Sequence, residues 1–104
     1  MKYVAPSSAE EASRALVGEN GISKILAGGT DLLVQMKSGL IEPDLIVDIK
    51  KIPETREIKS LDGGFRIGAA VSGSEVKDHN GLNRLVPGVV EALDLIGSTQ
   101  IQGR

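Results

Sequence analysis

Apolar positions along this chain follow two periods, and the change from one to the other divides it. Ala9, Ala12, Ala15 and Leu16 fall at helical spacing behind Pro6, giving a narrow stripe of small residues that can pack closely on a sheet. Ser7 and Ser8 each precede a glutamate by three positions, Glu10 and Glu11, so either serine can open this helix through a capping box. Gly18 and Gly21 stop it. Ile22 to Ala27 is then a short apolar run ending at Gly28-Gly29, which reads as strand, glycine turn and helix. Thr30 or Asp31 can cap that second helix; Leu32, Leu33 and Met36 share one face of it until Ser38-Gly39. Leu45 to Ile49 is a compact β-branched run. With Tyr3–Val4 and Ile25–Ala27 it supplies the strands of a small parallel layer.

Beyond Pro53 the period shortens. Glu57–Leu61 and Phe65–Ala69 flank Asp62-Gly63-Gly64, whose glycines permit the positive dihedrals of a hairpin turn. Ser72 with Glu75 marks a further short helix, expected to end near Asn80-Gly81. Leu85, Val89, Ala92, Leu93 and Ile96 mark a longer amphipathic helix stopped at Gly97. The expected fold class is therefore α/β, or α+β overall. A parallel βαβ subdomain over residues 1–53 is followed by the start of an antiparallel α+β subdomain over residues 54–104.

Composition narrows the function classes. At 104 residues with 12 basic and 14 acidic side chains, the chain has a net charge of −2. It carries no basic stripe to follow a phosphate backbone, so nucleic acid is not an expected partner. Aromatic residues make up 2%, which leaves the core to aliphatic side chains. The absence of cysteine excludes disulfides and cysteine-ligated metals within the chain and is compatible with a cytoplasmic location. No run reaches the roughly 18 apolar residues of a membrane span, so membrane insertion is not expected.

Candidate chemistry concentrates at Leu26 to Leu33. Two glycines between a strand and a helix let an anion approach backbone N–H groups that lack helical partners, and the Thr30 hydroxyl can add a donor. Asp31 would repel a phosphate, so it is read as capping its own helix or accepting a ribose hydroxyl. Taken alone, Gly-Gly-Thr-Asp is a weak pattern, because glycine pairs in strand-to-helix turns are common and a plain tight turn accounts for it. Elsewhere, His79 lies in a polar stretch and reads as solvated surface. Lys37, Lys50 and Lys51 read as solvation, Ser72 and Ser74 lack a base to make either a nucleophile, and Met36 and its leucine neighbours read as core. No side chain is a convincing acid, base or nucleophile, so no catalytic or metal-binding residue is assigned.

Several stretches in order resemble the FAD-binding subunits of the molybdenum hydroxylases, the group of carbon monoxide dehydrogenase medium subunits and xanthine dehydrogenase FAD domains. They are Tyr3 to Pro6 before a helix, Leu26 to Lys37, Asp44 to Asp48 with Ile52-Pro53, and Ile67-Gly68-Ala69. The resemblance implies a PCMH-type FAD-binding fold in which Ala27, Gly28, Gly29, Thr30, Asp31, Leu32 and Leu33 wrap the FAD diphosphate. It also implies an oxidoreductase role: electrons pass through FAD between iron–sulfur clusters of a partner subunit and an external acceptor, and a molybdopterin subunit oxidises the substrate. In the family, a segment similar to Gly97-Ser98-Thr99-Gln100-Ile101 precedes an Arg-Asn pair and a second flavin loop, Thr-Ile-Gly-Gly-Asn. Here Gln102-Gly103-Arg104 stands in place of that pair and the second loop is not reached. The chain is therefore expected to be the N-terminal part of a longer parent, with its flavin site truncated, inactive alone, and marginally stable or self-associating. UDP-N-acetylenolpyruvoylglucosamine reductase is a more distant likeness. The competing classes are a non-enzymatic interaction module and a small nucleotide- or anion-binding domain without flavin.

Overall fold

A computed structural model describes residues 1–96 of the chain. Three strands form a parallel sheet: β1 (Lys2–Val4), β2 (Ser23–Leu26) and β3 (Leu45–Asp48), in the order β1-β3-β2. Tyr3 sits opposite Ile46 on one side of β3, and Lys24 sits opposite Ile46 on the other. Its central position explains why β3 is buried at every residue and why it reads as a continuous apolar run, as strands covered on both faces do.

Helix α1 (Ala9–Val17) joins β1 to β2, and α2 (Thr30–Lys37) follows β2. Ser8 caps α1: its side chain accepts from the Glu11 N–H at 3.2 Å, and Glu11 in turn accepts from the Ser7 N–H at 3.0 Å. Ala12 of α1 packs with Leu45, Val47 and Ile52 as one core cluster. Helix α2 departs from the sequence reading, because no residue of it is buried, and Leu33 and Val34 are 46% and 60% exposed. Leu32 is half-buried and Leu33 exposed, so its leucines are not core.

After β3 the chain makes one turn of 3-10 helix, Pro53–Arg56, that the apolar pattern does not reveal. The Thr55 hydroxyl fastens this turn by donating to the Ile52 and Ile49 carbonyls at 2.8 and 2.9 Å. The antiparallel hairpin of β4 (Ile58–Leu61) and β5 (Gly64–Ile67) follows. Of its glycines only Gly63 has positive φ, at 81°, and Gly64 belongs to the strand. Strand β5 stops short of Ala69 because the backbone turns in at Gly68, where a Cβ would lie 2.4 Å from the Thr55 carbonyl. Only glycine permits that approach.

Three short helices close the described region: α3 (Gly73–Asp78), α4 (Asn80–Leu85) and α5 (Pro87–Asp94). Ser72 caps α3 as expected, accepting from the Glu75 N–H at 3.2 Å. Helix α3 ends at Asp78, close to the expected stop at Asn80-Gly81, where a further helix, α4, starts; His79 caps it, its Nδ1 accepting from the Leu82 N–H at 3.1 Å. The His79 ring also meets Phe65 edge-on at 5.5 Å, so it is a half-buried structural residue and not a solvated one. The expected long helix is split, because Pro87 opens α5 and excludes Val86 from helical geometry. Val76, Leu82 and Val90 form a second core cluster, joined by Ile58, Phe65 and Leu93. The expected stop at Gly97 lies outside the described residues.

Candidate functional site

The glycine turn sits at the carboxyl end of β2, beside the carboxyl end of β3, the edge where open α/β sheets receive ligands. Ala27, Gly28 and Gly29 are half-buried between strand and helix. Gly29 is the N-cap of α2 with φ 93°, a left-handed conformation that favours glycine. A Cβ there would lie 2.9 Å from Leu26 Cδ1, so the position is closed to side chains on two counts. This corrects the assignment of the cap to Thr30 or Asp31. Thr30 is the first helical residue and exposed, while the Asp31 carboxylate accepts from the Gln35 amide at 2.7 Å, one turn along its own helix. Leu32 is half-buried and Leu33 exposed.

No side chain caps α2, and the first helical bond runs from the Leu33 N–H to the Gly29 carbonyl at 2.9 Å. The N–H groups of Thr30, Asp31 and Leu32 therefore keep donor capacity at the positive end of the helix dipole, an arrangement suited to an anion. A cradle of backbone donors opened by glycines fits the diphosphate of a dinucleotide. All seven residues named from the sequence lie on this one continuous turn and helix start.

Sequence reasoning missed the group behind the turn. Asp48, 6% exposed at the end of β3, accepts from the Tyr3 hydroxyl at 2.5 Å and from the Lys50 N–H at 3.0 Å. The Lys50 ammonium meets the Asp48 Oδ1 at 3.0 Å and donates to the Ala27 carbonyl at 2.7 Å. Burial pushes the Asp48 carboxyl up, but the Tyr3 hydroxyl and the Lys50 N–H and ammonium outweigh it and hold the group below its ordinary value. Donation to Asp48, with burial and the carboxylate charge, pushes the Tyr3 phenol up. The available signal was an aspartate inside an otherwise apolar run, since a buried charge requires a partner. Lys50, two residues on, is that partner.

Residues 1–104 match the family described as the FAD binding domain in molybdopterin dehydrogenase. The chain is 36% identical over 104 residues to the carbon monoxide dehydrogenase medium chain of Hydrogenophaga pseudoflava, covering 99% of this chain and 36% of that one. It is 30% identical over 102 residues to the nicotinate dehydrogenase FAD-subunit of Eubacterium barkeri, covering 97% and 34%. A solved structure of the Hydrogenophaga pseudoflava carbon monoxide dehydrogenase superposes with a TM-score of 0.95 at 33% identity, over 100% of this chain and 36% of that chain. Quinoline 2-oxidoreductase from Pseudomonas putida 86 superposes at 0.94 with 27% identity, again over 100% and 36%.

The fold is that of a flavin-binding α/β domain. More narrowly, the chain belongs to the family of FAD-binding domains of molybdopterin dehydrogenases. It spans about a third of the length of the relatives it matches.

Proposed function

We propose that this chain supplies the diphosphate-gripping part of a FAD site in a molybdenum-hydroxylase-type oxidoreductase. In this reading Ala27, Gly28, Gly29, Thr30, Asp31, Leu32 and Leu33 hold the FAD diphosphate. Residues 1–53 form the subdomain that carries this turn, and residues 54–104 open the second flavin-binding subdomain. The observation that carries it is the family match over the whole chain, together with the uncapped, glycine-lined start of α2.

The turn would bind through backbone N–H groups, which take no part in proton or electron movement and serve to fix the cofactor's position. Gly29 lets the chain reverse without a side chain between ligand and backbone. Bound FAD would supply the redox chemistry, between iron–sulfur clusters in one partner subunit and an external acceptor. A molybdopterin subunit would oxidise the substrate. Relatives named as medium chains or FAD-subunits of dehydrogenases support this division of labour. No described helix is long and apolar enough to cross a membrane, and a cytoplasmic setting fits a chain without cysteine.

Flavin fluorescence polarisation during titration with the purified chain tests the reading. FAD polarisation should rise, ADP should reverse the rise, and riboflavin, which lacks a diphosphate, should show little. Equal responses from FAD and riboflavin, or no response to FAD, would contradict a diphosphate site. Displacement of FAD by inorganic pyrophosphate as readily as by ADP would favour a general anion-binding turn.

A further inference from the structure

Behind the glycine turn, Lys50 reaches across from the end of β3 and donates to the Ala27 carbonyl at 2.7 Å. The lysine is itself held: its ammonium lies 3.0 Å from Asp48 Oδ1, and its backbone N–H donates to the same oxygen at 3.0 Å. Asp48 is fixed in turn by the Tyr3 hydroxyl. The neighbouring Leu26 carbonyl is also taken, by the Ile49 N–H at 3.0 Å. Two consecutive carbonyls entering the turn are thus anchored to two consecutive residues leaving β3.

The Ala27–Gly28 bond is trans, so its C=O and N–H lie in one rigid plane and point in opposite directions. Anchoring the Ala27 oxygen therefore sets the direction of the Gly28 N–H. We propose that Lys50 is the positioning residue of the glycine turn: by holding the Ala27 carbonyl it orients the Gly28 N–H as an anion donor. This rests on the reading of the turn as a diphosphate grip. Lys50 acts through the backbone, and its long stem is 39% exposed at the side chain, so its replacement removes an anchor without opening the core.

The role of Lys50 is tested on the purified 104-residue chain with Lys50→Met, Lys50→Gln and Lys50→Arg, each checked for folding by far-UV circular dichroism. FAD affinity in Lys50→Met should fall about 10-fold, the scale of one charge-assisted hydrogen bond. Riboflavin affinity should stay at the wild-type level. Lys50→Arg, which keeps charge and donors, should recover FAD affinity to within about 3-fold of wild type. In the ligand-free protein the amide cross-peak of Gly28 should move in Lys50→Met and return toward its original place in Lys50→Arg. If Lys50→Met does not fold, Lys50→Gln carries the same comparison. Wild-type FAD affinity in a folded variant, or an unmoved Gly28 cross-peak, overturns the proposal. Failure of the wild-type chain to bind FAD overturns the diphosphate reading instead, and the Gly28 cross-peak then decides the role of Lys50 alone.

Discussion

The parallel sheet and the hairpin with its helices solve the problem of a small aliphatic core in different ways. In the first region one strand carries the core: β3 is wholly buried, Val47 has no exposure, and the flanking strands and α1 gather around it. In the second region no element is buried throughout, and the core is a meeting of single residues, Val76, Leu82 and Val90, from three short helices. The first arrangement leaves one edge of the sheet, the glycine turn, built from backbone and anchored by charge. The second depends on junctions, where His79 and Pro87 decide where each helix begins. A ligand grip made of peptide groups therefore sits on the region whose core is continuous.

Core truncation should separate the two regions most strongly. Leu45→Ala and Leu82→Ala should each cost about 3 kcal/mol, the usual range for a buried leucine. Tyr3 is the single tyrosine and the chain has no tryptophan, so its fluorescence reports the sheet. In urea, Leu45→Ala should shift the Tyr3 transition fully, whereas Leu82→Ala should shift the far-UV circular dichroism transition more than the Tyr3 signal. Equal shifts of both signals in both variants would show that the two clusters unfold as one.

Backbone approach comes next in size. At Gly68 an added Cβ would meet the Thr55 carbonyl carbon and oxygen, and Gly68→Ala should cost about 2 kcal/mol through overpacking. At Gly29 the positive φ makes Gly29→Ala cost about 1–2 kcal/mol, with a loss of FAD affinity that Gly68→Ala does not share. Thermal denaturation and flavin polarisation on both variants would check this. Capping sets a smaller scale: Ser8→Ala and Ser72→Ala should each cost about 1 kcal/mol, one in each region, readable as urea midpoints.

The smallest effect is defined by its sign. Because the Asp48 carboxyl is held below its ordinary value, its contribution is complete above the unfolded aspartate pKa. It is lost as pH falls through the lowered folded value. Stability measured by urea across that acid window should fall less steeply in Asp48→Asn than in wild type. A parallel fall in both would remove Asp48 from the account.

Much of the first region was legible in sequence because its signals are local. A β-branched run, a glycine pair and a serine–glutamate spacing specify β3, the turn and the Ser8 cap with little help from tertiary context. The second region was read less well at its junctions. Pro87 was available as a first-turn proline, but the apolar spacing of Leu85, Val89 and Leu93 suggested one continuous helix across it. His79 looked solvated because its neighbours are polar, and only the fold brings Phe65 to its ring. At the site, the turn itself was visible and its anchor was not. Lys50 and Ala27 are distant in sequence and meet only because β2 and β3 pair in register. The segment Gly97 to Ile101, which resembles the approach to a second flavin loop, lies outside the described residues.

The central claim is that the start of α2 grips the FAD diphosphate, and amide chemical-shift mapping tests it most directly. In the isotope-labelled chain, FAD and ADP should each move the cross-peaks of Ala27, Gly28, Gly29, Thr30, Asp31, Leu32 and Leu33, and riboflavin should leave them in place. FAD binding that moves other residues while these stay fixed, or an equal response to riboflavin, would contradict it.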